Sequence, residues 1–272
     1  MPPIIKKIIV ILILLVVVNA GFVWYGQASF DATFQQLSKA FAENNATLPS
    51  SARLPDPIVR YIGQSGQKAH PYRTLVLQIE GDYRKKPTKK PAPLHALLLL
   101  RPSADMLWAA RLEANAAVTF NALESYHNGH AKLQALLFGI IPTGTLDSPA
   151  FARSELARLL AYGLFNPALL SRDIIAYRTL DDHRVEATIR DGKLEATVRF
   201  RFDANGRVLE AVCDRRLLPG QKEKTARWIL RVKAYGQQDG LNLPLEIEEL
   251  WQNEGEAPWV FSRYRITGVK RL

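Results

Sequence analysis

His127 and His130 flank Asn128-Gly129, a pair that favours a two-residue hairpin turn. Cross-strand partners of that kind hold their Cβ atoms about 5 Å apart. Two imidazoles so placed could begin a zinc site, which needs a third or fourth ligand. The sequence nearby offers no cysteine and no Glu-x-x-His, and Glu124 joins only if the strand register turns it to the same face. The two histidines therefore read as polar turn flanks, and no metal is assigned. Asp181-Asp182-His183 has the composition of a general base and its orienter, but the chain lacks a Gly-x-Ser-x-Gly elbow to supply a nucleophile. It reads as a solvated turn. Cys213 has Arg215 and Arg216 close behind it. Cationic neighbours lower a thiol pKa, yet its place in a strand, Val208 to Arg215, fits a small buried hydrophobe better. Glu155 and Arg158 stand three apart, the spacing of side chains that meet on one helix face. They form a structural pair or orient a ligand head group. No residue is assigned a catalytic role, and no cofactor motif is present.

The elements that must position these residues follow from periodicity. Ser148 and Pro149 suit an N-cap and first helical position, Leu156, Leu159 and Leu160 form an apolar stripe, and Gly163 closes the helix. Asn166-Pro167 opens a second short turn with Leu169 and Leu170, so the middle of the chain reads as a helical hairpin. On both sides the period is two. Leu75, Leu77 and Ile79 alternate with polar residues, and Leu94 to Leu100, Met106 to Leu112 and Ala116 to Tyr126 continue the pattern. From Val185, strands run to the end, with Asp191-Gly192 a further hairpin turn. Nine or ten strands are expected. An open antiparallel sheet of that size twists and curls. The fold class is therefore α+β: a large curled antiparallel sheet, or half-barrel, with the helical hairpin packed on one face. Such a half-barrel has space for an apolar ligand between sheet and helix.

Ahead of this domain, Lys6-Lys7 precedes an apolar run from Ile8 to Tyr25 broken only by Asn19. That length crosses a hydrocarbon core of roughly 30 Å. Trp24 and Tyr25 end it as an interfacial belt would. Val18-Asn19-Ala20 resembles a signal cleavage site, but the apolar run continues beyond it, which favours an uncleaved anchor. Residues 1–27 read as a transmembrane signal anchor, 28–53 as a helix from Ser29 to Asn44 with a linker, and 54–272 as an extracytoplasmic domain. Lys6 and Lys7 set the N-terminus in the cytoplasm and the domain outside a single-pass inner membrane. A single cysteine excludes an internal disulfide. The formal charge of +10 favours anionic partners. For an exported domain these are membrane surfaces rather than nucleic acid. Arg84, Lys85, Lys86, Lys89 and Lys90 concentrate that charge in one loop and are the candidate membrane-surface contacts. Equally, such a loop keeps a sheet edge from pairing.

The chain resembles a bacterial family of unknown function whose members tend to carry an N-terminal membrane segment. The residues that carry the likeness are Leu54-Pro-x-Pro with Arg60-Tyr61, then Leu107-Trp108-Ala109-Ala110, and Tyr126-x-x-Gly129. Glu155-Leu-x-Arg158-Leu-Leu160, leading to Asn166-Pro-Ala-Leu-Leu170, follows. Phe202-Asp-x-x-Gly206, Leu243-Pro244 and Pro258-Trp259 complete it. The family pattern has an acid and a tryptophan before the Asn-Pro; here Tyr162 and Phe165 stand there. A looser likeness of architecture is to curled-sheet carriers of lipoprotein acyl chains. The resemblance implies a membrane-attached β-rich domain and supplies no activity. Trp108, Tyr126, Glu155, Arg158 and Trp259 are its candidate ligand-binding residues. The expected function is that of a membrane-anchored envelope protein binding a lipidic or apolar ligand. The alternatives are an envelope module that binds a partner protein, or a hydrolase of lipid or glycan.

Overall fold

The structure, a computed structural model, describes residues 2–42, 53–66, 74–115, 118–219 and 221–272. The linker read over 45–53 lies outside them except for Arg53. Alternating sequence gives thirteen strands among the described residues. They are β1 (Leu75–Tyr83), β2 (Ala92–Arg101), β3 (Asp105–Asn115), β4 (Val118–His127), β5 (His130–Leu137) and β6 (Ile141–Leu146) in the first half. The second half holds β7 (Ile175–Asp181), β8 (Arg184–Asp191), β9 (Leu194–Phe202), β10 (Val208–Leu217), β11 (Thr225–Gln238), β12 (Leu241–Gln252) and β13 (Trp259–Arg271). They form one antiparallel sheet in the order β6-β5-β4-β3-β2-β1-β13-β12-β11-β10-β9-β8-β7. The chain thus meanders outward from the centre to one edge, crosses to the other edge, and meanders back until β13 pairs with β1.

The crossing is made by α3 (Pro149–Tyr162), which Ser148 caps by accepting a hydrogen bond from the Phe151 N–H at 3.2 Å. This helix touches β4 and β5 on one side and β8, β9 and β10 on the other. Those strands stand far apart in the sheet order, so the sheet must curl around α3 for both sets to reach it. The second member of the helical hairpin is a single 3-10 turn, Leu169–Ser171. A short entry helix, α2 (Asp56–Gln64), closes one end of the concave core. There the Tyr61 hydroxyl donates to the Leu164 carbonyl at 2.7 Å.

The strand count exceeds the expected nine or ten, and two of the additional strands are the sheet edges, the least strand-like segments. β6, Ile-Pro-Thr-Gly-Thr-Leu, carries a proline that cannot donate to a ladder and a glycine that weakens one. β7 is mostly exposed. Both are tolerated because an edge strand pairs on one side only.

The N-terminal segments also differ from their separate reading. Residues Pro3–Ala42 form one continuous helix, α1, about 60 Å long at 1.5 Å per residue. Its first half leaves Ile8 to Val18 exposed, apart from Leu15, which is not described. The helix is long and apolar enough to cross a membrane by length and composition. Its second half lies on the convex face of the sheet. Phe30 and Phe34 are buried against Leu99, Leu107, Ala109 and Leu123. Gln27 exchanges hydrogen bonds with Asn121 at 3.2 Å and donates to Thr119 at 3.3 Å. Phe41 stacks near His127, ring centroids 5.7 Å apart. From Gln27 to Phe41 the helix advances about 21 Å, and from Asn121 to His127 the strand advances about 20 Å. Hence α1 runs along β4, in the same direction. Elsewhere the convex face is wet and laced with ion pairs, such as Arg190–Glu195 at 2.7 Å and Arg263–Glu248 at 3.0 Å.

Candidate functional site

Inside the curl, α3 is buried on nearly every side from Phe151 to Tyr162, with Arg153 the exception. A helix so enclosed would normally be apolar all round. This one carries Glu155 and Arg158 into the core. The two pair at 2.5 Å. Arg158 also pairs with Glu124 of β4, and Arg216 of β10 donates to the other oxygen of Glu155 at 3.1 Å. A chain of charge thus runs from β4 through α3 to β10, joining strands from the two halves of the sheet. Both guanidinium groups lie on aromatic faces. Arg158 is 5.6 Å from the Trp108 ring and 5.7 Å from that of Tyr162; Arg216 is 4.6 Å from Trp228 and 5.4 Å from Trp251. Beside them the Tyr162 and Tyr264 hydroxyls donate to buried Glu249 at 2.7 and 3.1 Å.

Burial dominates the electrostatics. It pushes the Glu124 carboxyl up, against the Arg158 charge that lowers it, and with Glu155 adding to the rise. Burial alone would lower the Arg158 pKa, but Glu124 and Glu155 together raise it. The Tyr162 phenol is held well above its ordinary range by burial and then by Glu249. Ion pairs this deep add little net stability over an apolar core, but each half depends strongly on the other. The arrangement is a clamp. Its charges are spent on one another, with aromatic rings packed against the guanidinium groups.

Of the candidate ligand-binding residues, Trp108, Glu155 and Arg158 come together in this cluster. Tyr126 flanks it, fully buried, and its hydroxyl donates to Asp191 at 2.8 Å. That bond ties the end of β4 to the β8–β9 turn and is a second tie between the two halves of the sheet. Burial and Asp191 raise the Tyr126 phenol. Trp259 lies outside, half-buried at the start of β13, edge-to-face with Phe261 at 6.1 Å and paired in register with Trp251. The space expected between sheet and helix is filled where these side chains meet: Trp108 touches Tyr162 and Tyr264, and Tyr162 touches Phe165 and Trp228.

The sequence did not single out Arg216 or Glu249 for this cluster. The signal was present. Glu124 and Glu249 sit at the apolar parity of their strands, in Ala122-x-Glu124-x-Tyr126 and Ile247-x-Glu249-x-Trp251. A charged residue at an inward position needs a partner. Tyr162, at the place where the family resemblance has an acid, donates to the acid of β12 instead.

The remaining candidates stay apart from the clamp. His127 and His130 are register partners across the hairpin, but no group of three or more potential metal ligands occurs among the described residues. His127 Nδ1 lies 2.7 Å from buried Asp105. Asp181 accepts from the His183 N–H at 3.0 Å and from Arg184 at 2.6 Å in an exposed turn. Cys213 is buried, which raises its thiol pKa.

The chain is similar to a DUF1329 family protein from Desulfovibrio piger at 13% identity, over 83% of this chain and 94% of that one, with a TM-score of 0.44. It is similar to a LolA superfamily protein from Nitrosomonas europaea at 9% identity, over 78% and 92%, with a TM-score of 0.37. A beta-barrel-like protein of the domain of unknown function DUF1849 from Brucella abortus has 8% identity over 74% and 98%, with a TM-score of 0.24. The sequence has no significant match among curated proteins. Residues 44–262 match DUF6544, a family of unknown function, and the chain belongs to that family.

Proposed function

We propose that this is a non-enzymatic envelope protein, anchored in the inner membrane by α1 and held with one end of its sheet against the outer bilayer surface, where it binds lipid. The observation that carries this reading is the course of α1. Its apolar half is free and its second half is fixed along β4, so the anchor sets the height and tilt of the domain. Glu80, His95, Arg111 and Asn121 stand opposite one another across β1 to β4, level with Gln27. The β1–β2 loop begins four residues beyond Glu80, about 13 Å further toward the anchor end. Trp24 and Tyr25 are about 4 Å from Gln27 along the helix. The loop therefore extends past the level of Trp24 and Tyr25 into the bilayer surface, and its long cationic side chains reach back to the head groups. It carries Arg84, Lys85, Lys86, Lys89 and Lys90 without an acid, half of the formal charge of the chain, and the four lysines are exposed. Lipid is taken at this surface rather than beneath α3, where side chains fill the curl.

Each cation near an anionic surface contributes about 1 kcal/mol. A chain beginning at Gly26 is expected to float with vesicles containing anionic lipid and to be released by salt. Replacing the five cations by Gln is expected to weaken that binding at least about a hundredfold. Binding indifferent to salt, anionic lipid and these substitutions would remove the reading. A second reading, a protein-interaction module, is favoured by the free edges β6 and β7, which an added strand could extend. It predicts capture of an envelope partner by crosslinks at those edges, unaffected by loop charge.

A further inference from the structure

Where α1 leaves the bilayer end of the sheet, it encloses a groove of about 320 Å³ against the convex face. Its floor is the row Glu80, His95, Arg111 and Asn121, one residue from each of four neighbouring strands. Gln27 and Asp31 of α1 form its wall. The row is not self-satisfied. Arg111 Nε is buried without a hydrogen-bond acceptor. The nearest acid, Glu113, lies 3.8 Å from both Arg111 and His95, beyond hydrogen bonding. Asp31 and Glu80 have no ion-pair partner among the described residues. Arg111 and Asn121 thus stand at the β3–β4 end of the row and the free carboxylate of Glu80 at the β1 end, with Asp31 on the helix wall.

We infer that this groove holds the head group of a zwitterionic phospholipid bearing a primary ammonium. The inference rests on the anchor reading of α1, because that is what brings the groove to head-group depth. The phosphate lies between Arg111 and His95, where the accessible part of the Arg111 guanidinium donates to it. The ammonium lies at Glu80, whose oxygens accept its N–H groups, and Asp31 on the helix wall adds a second negative charge to the groove. The two positions are about one and a half strand spacings apart, ~7 Å, which a phosphate and ammonium joined by two carbons span once the hydrogen-bond lengths at each end are included. Three acids against one permanent cation give the groove the opposite charge preference from the β1–β2 loop. It disfavours a purely anionic head group, and a quaternary ammonium has no N–H to donate to its carboxylates.

The test offers full-length protein, in detergent, equal amounts of phosphatidylethanolamine, phosphatidylglycerol and phosphatidylcholine, and reads retained lipid by native mass spectrometry. Preferential retention of phosphatidylethanolamine is expected, with about a tenfold loss in Arg111→Gln. Glu80→Gln is expected to erase the preference over phosphatidylcholine; this position is exposed, so it keeps the test open should Arg111→Gln unfold. Displacement of the lipid by millimolar inorganic phosphate would reduce the site to a phosphate site and overturn the proposal. Equal retention of the three lipids, or retention unchanged in both variants, would also overturn it while leaving the anchor intact. Protein recovered from cells in the aqueous fraction without detergent would instead overturn the anchor reading itself.

Discussion

Replacing Arg158 by Met is expected to destabilise the domain by about 3–5 kcal/mol, the cost of breaking a buried ion pair from one side. Met fills much of the same volume, so the loss is electrostatic. Glu124 and Glu155 are left buried without the guanidinium that faces both. At about 2–4 °C per kcal/mol for a domain of this size, the melting temperature should fall by roughly 10 °C. The effect should depend on pH with a definite sign. Burial already raises the Glu124 pKa and Arg158 opposes the rise; without Arg158 it climbs further. A carboxyl with a raised folded pKa binds its proton more tightly folded than unfolded. Stability therefore falls as pH rises through the window between the unfolded and folded values, and the penalty is relieved on acidification. Circular-dichroism melts at pH 5 and pH 7.5 should show a smaller deficit at the lower pH. A triple variant, Arg158→Met with Glu124→Gln and Glu155→Gln, should recover much of the loss. A single variant melting within about 2 °C of the native protein would mean that the cluster does not clamp the curl.

That cluster also marks where sequence reading stopped. The curl, the antiparallel order and the position of α3 followed from period-two strands interrupted once by a capped helix. These are local signals, repeated many times. The edges β6 and β7 were missed because an edge needs few apolar residues and tolerates proline. Glu155 and Arg158 were legible as a pair, but one expected at the helix surface, since three-residue spacing says nothing of what covers the face. Their partners come from strands separated in sequence by tens of residues, and register over that distance is set by the whole sheet. The apolar run Leu97 to Leu100 held a further clue. Four consecutive leucines cannot alternate, so that strand must be buried on both faces. Leu98 and Leu100 face α3, whereas Leu99 faces α1. The helix from Ser29 is therefore part of the folded domain rather than a stalk leading to it.

From this follows the other large effect: a chain of residues 54–272 is expected to aggregate, whereas 21–272 stays monomeric in mild detergent. The shorter chain lacks Phe30 and Phe34, whose burial contributes about 2–3 kcal/mol each, and it bares Leu99, Leu107 and Leu123 as one apolar patch. A subtler version leaves the chain length unchanged. At Gly26, α1 meets the turn Phe138–Gly139 so closely that an added Cβ would lie 1.7 Å from the Phe138 carbonyl oxygen. Gly139 holds φ at +82°, a conformation that glycine adopts without strain, and its own Cβ would strike the Gly26 carbonyl at 2.4 Å. Neither obstacle is a flexible side chain, so Gly26→Leu must lift the helix from the sheet. Hydrogen exchange should then rise at least about tenfold across β2 to β4, where the docked helix covers the ladder. The concave clamp around Glu155, on the other face of the sheet, should keep its protection. Unchanged exchange in Gly26→Leu, together with a monomeric 54–272 chain, would show that the second half of α1 is not part of the folded domain.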